Sequence, residues 1–142
     1  MAKRDEEIVE FLKQTPLFSL CREKDLRSII KIANEKKFEA GSPIIKEGDS
    51  GLGFYLILEG KVDIKRDDRL LSQRGVGDFF GEMTLLDGGP RSADVIATEP
   101  TRCLVLARWD LKDIVKSYPD VALYMLEELS RRLRETDQAL TE

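Results

Sequence analysis

Phe80-Gly81-Glu82-Met83-Thr84-Leu85-Leu86, followed after Asp87-Gly88-Gly89 by Pro90-Arg91-Ser92-Ala93, is a segment built to hold an anion. Gly81 has no side chain, so the backbone there can approach a ligand closely. The residues after it can form a short helical turn whose unsatisfied N–H groups attract negative charge. Arg91 adds a permanent cation with a planar fork of donors suited to phosphate oxygens. Glu82, when ionised, only accepts hydrogen bonds. Beside a phosphate it needs a different partner, and a sugar hydroxyl is the natural one. The bland alternative is a surface ion pair between Arg91 and Glu82, which would contribute only about 0–1 kcal/mol. It leaves unexplained why an arginine and a carboxylate should converge on a glycine turn.

Outward from this segment the chain reads as β structure between helices. All ten glycines lie between Gly41 and Gly89, so turns are confined to the middle. Pro43-Ile44-Ile45-Lys46 predicts a short strand, and Phe54 to Leu58, apolar on both faces, a buried one. Lys61-Val62-Asp63-Ile64-Lys65 alternates cleanly, with Val62 and Ile64 facing inward. Asp67-Asp68 reads as a hairpin turn rather than a metal site. Leu70 and Leu71 begin another strand, and Ala93–Thr98 and Cys103–Ala107 give two more, split by Glu99-Pro100. Strands of this number and spacing predict a sandwich or jelly roll.

Both flanks lack glycine. Ile8, Phe11 and Leu12 form a short apolar stripe, and Leu26, Ile29, Ile30 and Ala33 predict a second helix over about 22–36, with Thr15-Pro16 between the two. After Trp109, Pro119 suits the first turn of a long helix running to about Leu140. Ala122, Leu126, Leu129, Leu133, Thr136 and Leu140 form a seam at alternating spacings of four and three. Glu127 with Arg131, and Glu128 with Arg132, stand in the favourable orientation for pairing. The seam suits either a second copy of the chain or the protein's own β structure, and the spacing leaves both open.

The 142 residues predict one domain with a real core. Net charge is −4 and the pI about 5.1, which offers no basic field for nucleic acid or anionic membrane. No apolar run reaches the roughly 20 residues of a membrane span, and the start lacks the apolar core of a signal peptide. Cys21 and Cys103 lack metal-ligand spacing. A cytoplasmic protein with reduced thiols is the expectation. With no histidine in the chain, histidine-based proton transfer and most zinc sites are excluded. Gly75-Val76-Gly77 followed by Gly81 is one residue too long for a dinucleotide fingerprint and lacks the helix such a motif requires.

The segment from Phe80 to Ala93 resembles the phosphate-binding cassette of cyclic nucleotide-binding domains, the family of bacterial catabolite activators, regulatory subunits of cAMP-dependent kinase and cyclic-nucleotide-gated channels. Phe80, Gly81, Glu82, Leu85, Pro90, Arg91 and Ala93 match its pattern. Thr84 departs from it, standing where the family usually has Ala, Ser or Gly. Pro16-Leu17-Phe18 and Phe54-Tyr55-Leu56-Ile57-Leu58-Glu59-Gly60 also look like family positions, so the resemblance covers nearly the whole chain. It implies a mainly β fold with flanking helices: an eight-stranded jelly roll with N-terminal helices and a long C-terminal helix. The chain would be a single domain over 1–142, with a helical lead-in at 1–37, the jelly roll at 38–108 carrying the cassette at 80–93, and C-terminal helices at 109–142.

The resemblance also implies roles. Arg91 would hold the cyclic phosphate with Ser92, Ala93, Gly81 and Met83, and Glu82 the ribose 2′-hydroxyl. Ile64 and Leu71, both expected to face the barrel interior by alternation, align with purine-contacting positions, as do Arg74 and Thr136. For Arg74 a solvated loop arginine is an equal reading, and for Thr136 a polar residue on a packing seam. Ser92 is compatible with cAMP or cGMP, and the resemblance favours cAMP. The implied function is a regulatory sensor, not an enzyme, with no cofactor beyond its nucleotide ligand. Binding would draw the C-terminal helix over the base, and a homodimer through that helix is an open arrangement. The rival is a nucleotide-free scaffold or dimerisation module of the same fold. Catabolite activators continue into a helix-turn-helix domain absent from these residues, so no nucleic acid contact by this chain, and no membrane contact, is expected.

Overall fold

A computed structural model describes residues 2–46, 48, 53–81 and 93–141. Their elements are α1 (Ala2–Gln14), a 3₁₀ turn (Pro16–Phe18), α2 (Glu23–Ile32), β1 (Asn34–Phe38), β2 (Pro43–Ile45), β3 (Gly53–Glu59), β4 (Val62–Arg66), β5 (Arg69–Arg74), β6 (Phe79–Phe80), β7 (Asp94–Ala97), β8 (Thr101–Ala107), α3 (Arg108–Ser117) and α4 (Pro119–Thr141). They form two compact units, one of residues 30–112 and one combining residues 1–29 with 113–142.

The first unit is an eight-stranded jelly roll of two antiparallel sheets, ordered β1-β8-β3-β6 and β2-β7-β4-β5. The inward residues of both sheets, Ile45, Ile57, Val62, Phe80, Val95, Cys103 and Val105, make one buried cluster. Val62 faces inward as its alternation predicts, and Ile64 packs against the same cluster. On β8, Arg102 donates to Glu35 of β1 at 2.8 Å and pairs with Glu59 of β3 at 3.5 Å, tying three strands together.

The turns account for themselves in φ. Asp67 (φ 53°) and Asp68 (φ 63°) both sit in the left-handed region, the geometry of the two-residue hairpin that matches strand twist. Gly60 has φ +100°, and a Cβ there would lie 2.4 Å from Thr101 Oγ1 and 2.6 Å from the Pro100 carbonyl. Only glycine fits between these strands.

Two sequence expectations need correction. The second helix stops at Ile32, not near residue 36, because Asn34–Phe38 pairs with Thr101–Ala107 in register from Asn34↔Val105 to Phe38↔Thr101. A strand partner about 70 residues away overrides the local helical period. Leu71 does not continue the inward alternation: Ile64 pairs with Ser72 and Lys65 with Leu70, so Leu71 is the extra residue of a β-bulge. It is 47 % exposed.

In the helical unit, Ile8, Val9 and Leu12 of α1, Leu17 and Phe18 of the 3₁₀ turn, Leu26 and Ile29 of α2, and Val121 and Met125 of α4 are buried. Pro16 opens the 3₁₀ turn after Thr15, whose hydroxyl donates to the Phe11 carbonyl at 2.9 Å. Pro119 is the first residue of α4. Glu128 pairs with Arg132 as predicted, at 3.2 Å. Arg131 also pairs with Glu128, three residues back, where the sequence pattern offered Glu127.

Candidate ligand-binding site

The cassette is slung between two strands of opposite sheets. Its first residue, Phe80, lies on β6, an edge strand paired with β3 through Tyr55↔Phe80 and Leu56↔Phe79. Asp94 follows it on β7, which pairs with β4 through Ile64↔Val95 and with β2 through Ile45↔Val95. Phe80 and Val95 belong to the same buried cluster. The described residues on either side of residues 82–92 are therefore rooted in one core.

The approach is well defined. Gly77 (φ +87°) donates its N–H to the Ile57 carbonyl at 2.9 Å, and the Ile57 N–H donates to the Asp78 carbonyl at 2.9 Å. The Asp78 carboxylate accepts from the Gly75 N–H at 2.8 Å and closes the turn. Gly75-Val76-Gly77 thus forms a turn that leads straight into a two-residue strand rather than a helix, consistent with setting aside the dinucleotide motif. Gly81 itself has φ +88°. That left-handed geometry turns the chain out of β6 and is costly for any residue with a Cβ. Ala93, at the far end, is buried.

Glu82, Met83, Arg91 and Ser92 lie outside the described residues. Of the purine positions, Ile64 is half-buried and level with Val95, the second residue of β7. Leu71 is the bulged residue on edge strand β5, where a bulge re-aims a side chain. Arg74 ends β5, level with Val62, and its Nη1 donates to the Gln73 carbonyl at 3.0 Å. Thr136 is exposed on α4 in the helical unit, and its hydroxyl donates to the Arg132 carbonyl at 3.0 Å. The jelly roll thus assembles Ile64 and the two ends of the cassette on one core. Leu71 and Arg74 stand on the neighbouring edge strand, and Thr136 belongs to the other unit.

One site-shaping contact escaped the sequence reading. Tyr55 stacks on Phe80, and nothing in strand alternation announces which residue a strand will meet across the ladder. Cys103 is buried, and burial pushes its pKa up to about 12. Burial, and then the nearby carboxylates of Asp25 and Asp120, raise that of Cys21. Among the described residues no group of His, Cys, Asp and Glu could hold a metal ion, and no helix is long and apolar enough to cross a membrane.

The fold is a double-sheet jelly roll in which Phe80, just before the left-handed Gly81, and Val95 share one core. Residues 35–118 match the sequence profile of the cyclic nucleotide-binding domain, and the chain belongs to that family. It is 37 % identical over 134 residues to the cyclic AMP receptor protein of Thermus thermophilus, an alignment covering 91 % of this chain and 62 % of that protein. It is 34 % identical over 99 residues to the cAMP-dependent protein kinase regulatory subunit of Yarrowia lipolytica, covering 70 % of this chain and 26 % of that one. The crystal structure of the Thermus thermophilus catabolite activator protein superposes with a TM-score of 0.78 at 36 % identity, covering 89 % of this chain and 62 % of that one. The chain thus spans less than two thirds of these relatives' length. The family is one of regulatory, ligand-binding domains rather than catalytic ones.

Proposed function

We propose that this chain binds a cyclic nucleotide, cAMP in preference to cGMP, and acts as a regulatory sensor without catalysis of its own. The observation that carries this reading is the left-handed Gly81 (φ +88°) set directly after core-bound Phe80, at the head of the cassette. In this reading Arg91 neutralises the cyclic phosphate with Ser92 beside it, and N–H groups around Gly81, Glu82, Met83 and Ala93 complete the anion cradle. Glu82 accepts from the ribose 2′-hydroxyl. Ile64 and Leu71 cover the purine with Arg74, and Thr136 reaches it when α4 closes over the base. The ligand moves α4 only by as much as its affinity differs between the open and closed arrangements.

The whole chain works as one domain, pairs with a second copy through α4, and operates in the cytoplasm without contacting nucleic acid or membrane itself. The names of the relatives support the ligand class, and the acidic balance of −4 supports the absence of a nucleic acid partner. Calorimetric titration of cAMP and, separately, cGMP into the chain and into Arg91→Ala tests the proposal. Micromolar or tighter binding of cAMP is expected, with a loss of about 2–5 kcal/mol in Arg91→Ala, since a desolvated phosphate is left unpaired. Binding by Arg91→Ala within a factor of two of the unmodified chain removes the phosphate role. No heat from either nucleotide leaves the chain a scaffold of the same fold.

A further inference from the structure

The helical unit carries a groove of about 240 Å³ between the segment from Pro16 to Cys21 and the first turns of α4. Leu17 and Leu20 line one side and Leu123 and Tyr124 the other, and the two charged residues lining it, Asp120 and Glu127, are both acidic. Leu20 is 75 % exposed and Leu123 55 %. On α4, Leu123, Tyr124 and Glu127 stand three, four and seven places after Asp120, which puts all four on one helix face. The carboxylates are thus two turns apart, about 10.5 Å by helical rise, with the leucine and tyrosine between them. Neither makes an ion pair among the described residues. Of the other charged groups on α4, Glu128 pairs with Arg131 and Arg132, and Arg134, Glu135 and Asp137 lie outside the groove lining. Lys116 of α3 is outside it too, and Arg22, next to Cys21, pairs with Asp25 at 3.2 Å.

We propose that this groove docks a basic amphipathic helix of another protein. Two lysines or arginines seven residues apart on that helix meet Asp120 and Glu127, and an apolar side chain between them enters beside Leu20. Size separates this from a small-molecule site, because 240 Å³ falls below the roughly 300–1,000 Å³ of ligand pockets. A helix laid in a groove instead inserts side chains at positions i, i+3, i+4 and i+7, the spacing that Asp120, Leu123, Tyr124 and Glu127 present. Charge decides the sign of the partner. Two unpaired carboxylates repel an acidic segment and favour a basic one, whose aliphatic stems lie along the leucines. A second copy lacks the pattern. Within this chain's helices only Lys24 and Lys31 are basic residues seven apart, and the residues three and four after Lys24 are Arg27 and Ser28, neither apolar. The groove lies wholly in the helical unit, so docking there stands apart from nucleotide binding at the cassette.

Fluorescence anisotropy with two labelled peptides of about 15 residues, long enough to form a helix, tests this on the full chain without nucleotide. One peptide carries lysines seven apart around leucines, and the other has glutamate in place of those lysines. The lysine peptide should bind at micromolar concentration, and the glutamate peptide at least about tenfold more weakly. Asp120→Asn combined with Glu127→Gln, and separately Leu20→Ser, should each weaken the lysine peptide about tenfold. All three residues are exposed, so the changes leave the core intact. No binding at millimolar peptide, equal binding of the two peptides, or an affinity unchanged by either variant overturns the proposal. Sedimentation of the unmodified chain beside Leu20→Ser checks the rival occupant. A self-association that Leu20→Ser abolishes assigns the groove to a second copy and overturns the proposal as well.

Discussion

Tyr55 and Phe80 stack face to face, their ring centroids 4.9 Å apart and their planes 2° from parallel. They face each other across the β3–β6 ladder, and Phe80 is the last residue before the left-handed Gly81. The stack therefore sits at the last ladder pair before the chain turns at Gly81. Phe80→Leu keeps the site apolar and loses the ring pair, an interaction of about 0.5–1.5 kcal/mol beyond area. The expected result is a stability to denaturant lowered by more than that amount, since the smaller side chain also leaves a cavity around a buried position, with weaker nucleotide binding by calorimetry. Unchanged affinity in a destabilised Phe80→Leu would show that the stack supports the sheet alone.

Glu82 is the proposed ribose anchor, and Glu82→Ala should reduce cAMP affinity by roughly 1.5–3 kcal/mol, the worth of a hydrogen bond to a charged group. The sharper readout is discrimination against 2′-deoxy-cAMP. The variant should bind the two nucleotides equally, and retained discrimination would take Glu82 out of the ribose role.

Gly60→Ala should be among the most destabilising single changes in the jelly roll. It combines left-handed strain of about 1–2 kcal/mol with overpacking of about 1–3 kcal/mol, because the new methyl meets Thr101 Oγ1 and the Pro100 backbone. Urea unfolding measures it, and a loss below about 1 kcal/mol would mean the β3–β4 turn relaxes freely.

The hairpin at Asp67-Asp68 offers the opposite sign. Both residues have positive φ, which glycine adopts without penalty in this turn. Asp68→Gly is expected to stabilise by about 0.5–1 kcal/mol, the strain relieved exceeding the added chain entropy of the unfolded state. A fall in melting temperature would contradict the turn type.

The two thiols should behave differently. Cys21 reacts slowly with a disulfide reagent in the native protein, and Cys103 only after unfolding. Because burial raises the folded-state pKa of Cys103 from about 9.0 to about 12, the unfolded chain releases that proton first as pH rises. Its contribution is full below pH 9 and is lost progressively towards pH 12. Removing the thiol in Cys103→Ala should flatten the alkaline limb of the stability profile, and an unchanged limb would assign it to other groups.

The sequence by itself determined the architecture and the family. Local alternation at Val62 and Ile64, glycines confined to the middle, and prolines at 16 and 119 mark strands, turns and helix starts, because backbone preference and side-chain period are local properties. The order Phe80-Gly81-Glu82 with Pro90-Arg91 pointed to the family for a related reason: a motif confined to one short stretch can be read along the chain. Tertiary structure alone decided what depends on partners distant in the chain. Pairing with β8 drew Asn34–Phe38 away from the preceding helix, and the β4–β5 register pushed Leu71 into a bulge. Tyr55 met Phe80 only when β3 and β6 aligned. Leu20 and Leu123, about a hundred residues apart, line one space only once the helical unit has folded. Period and propensity are read along the chain, whereas register and enclosure arise when separate segments compete to bury the same apolar surface.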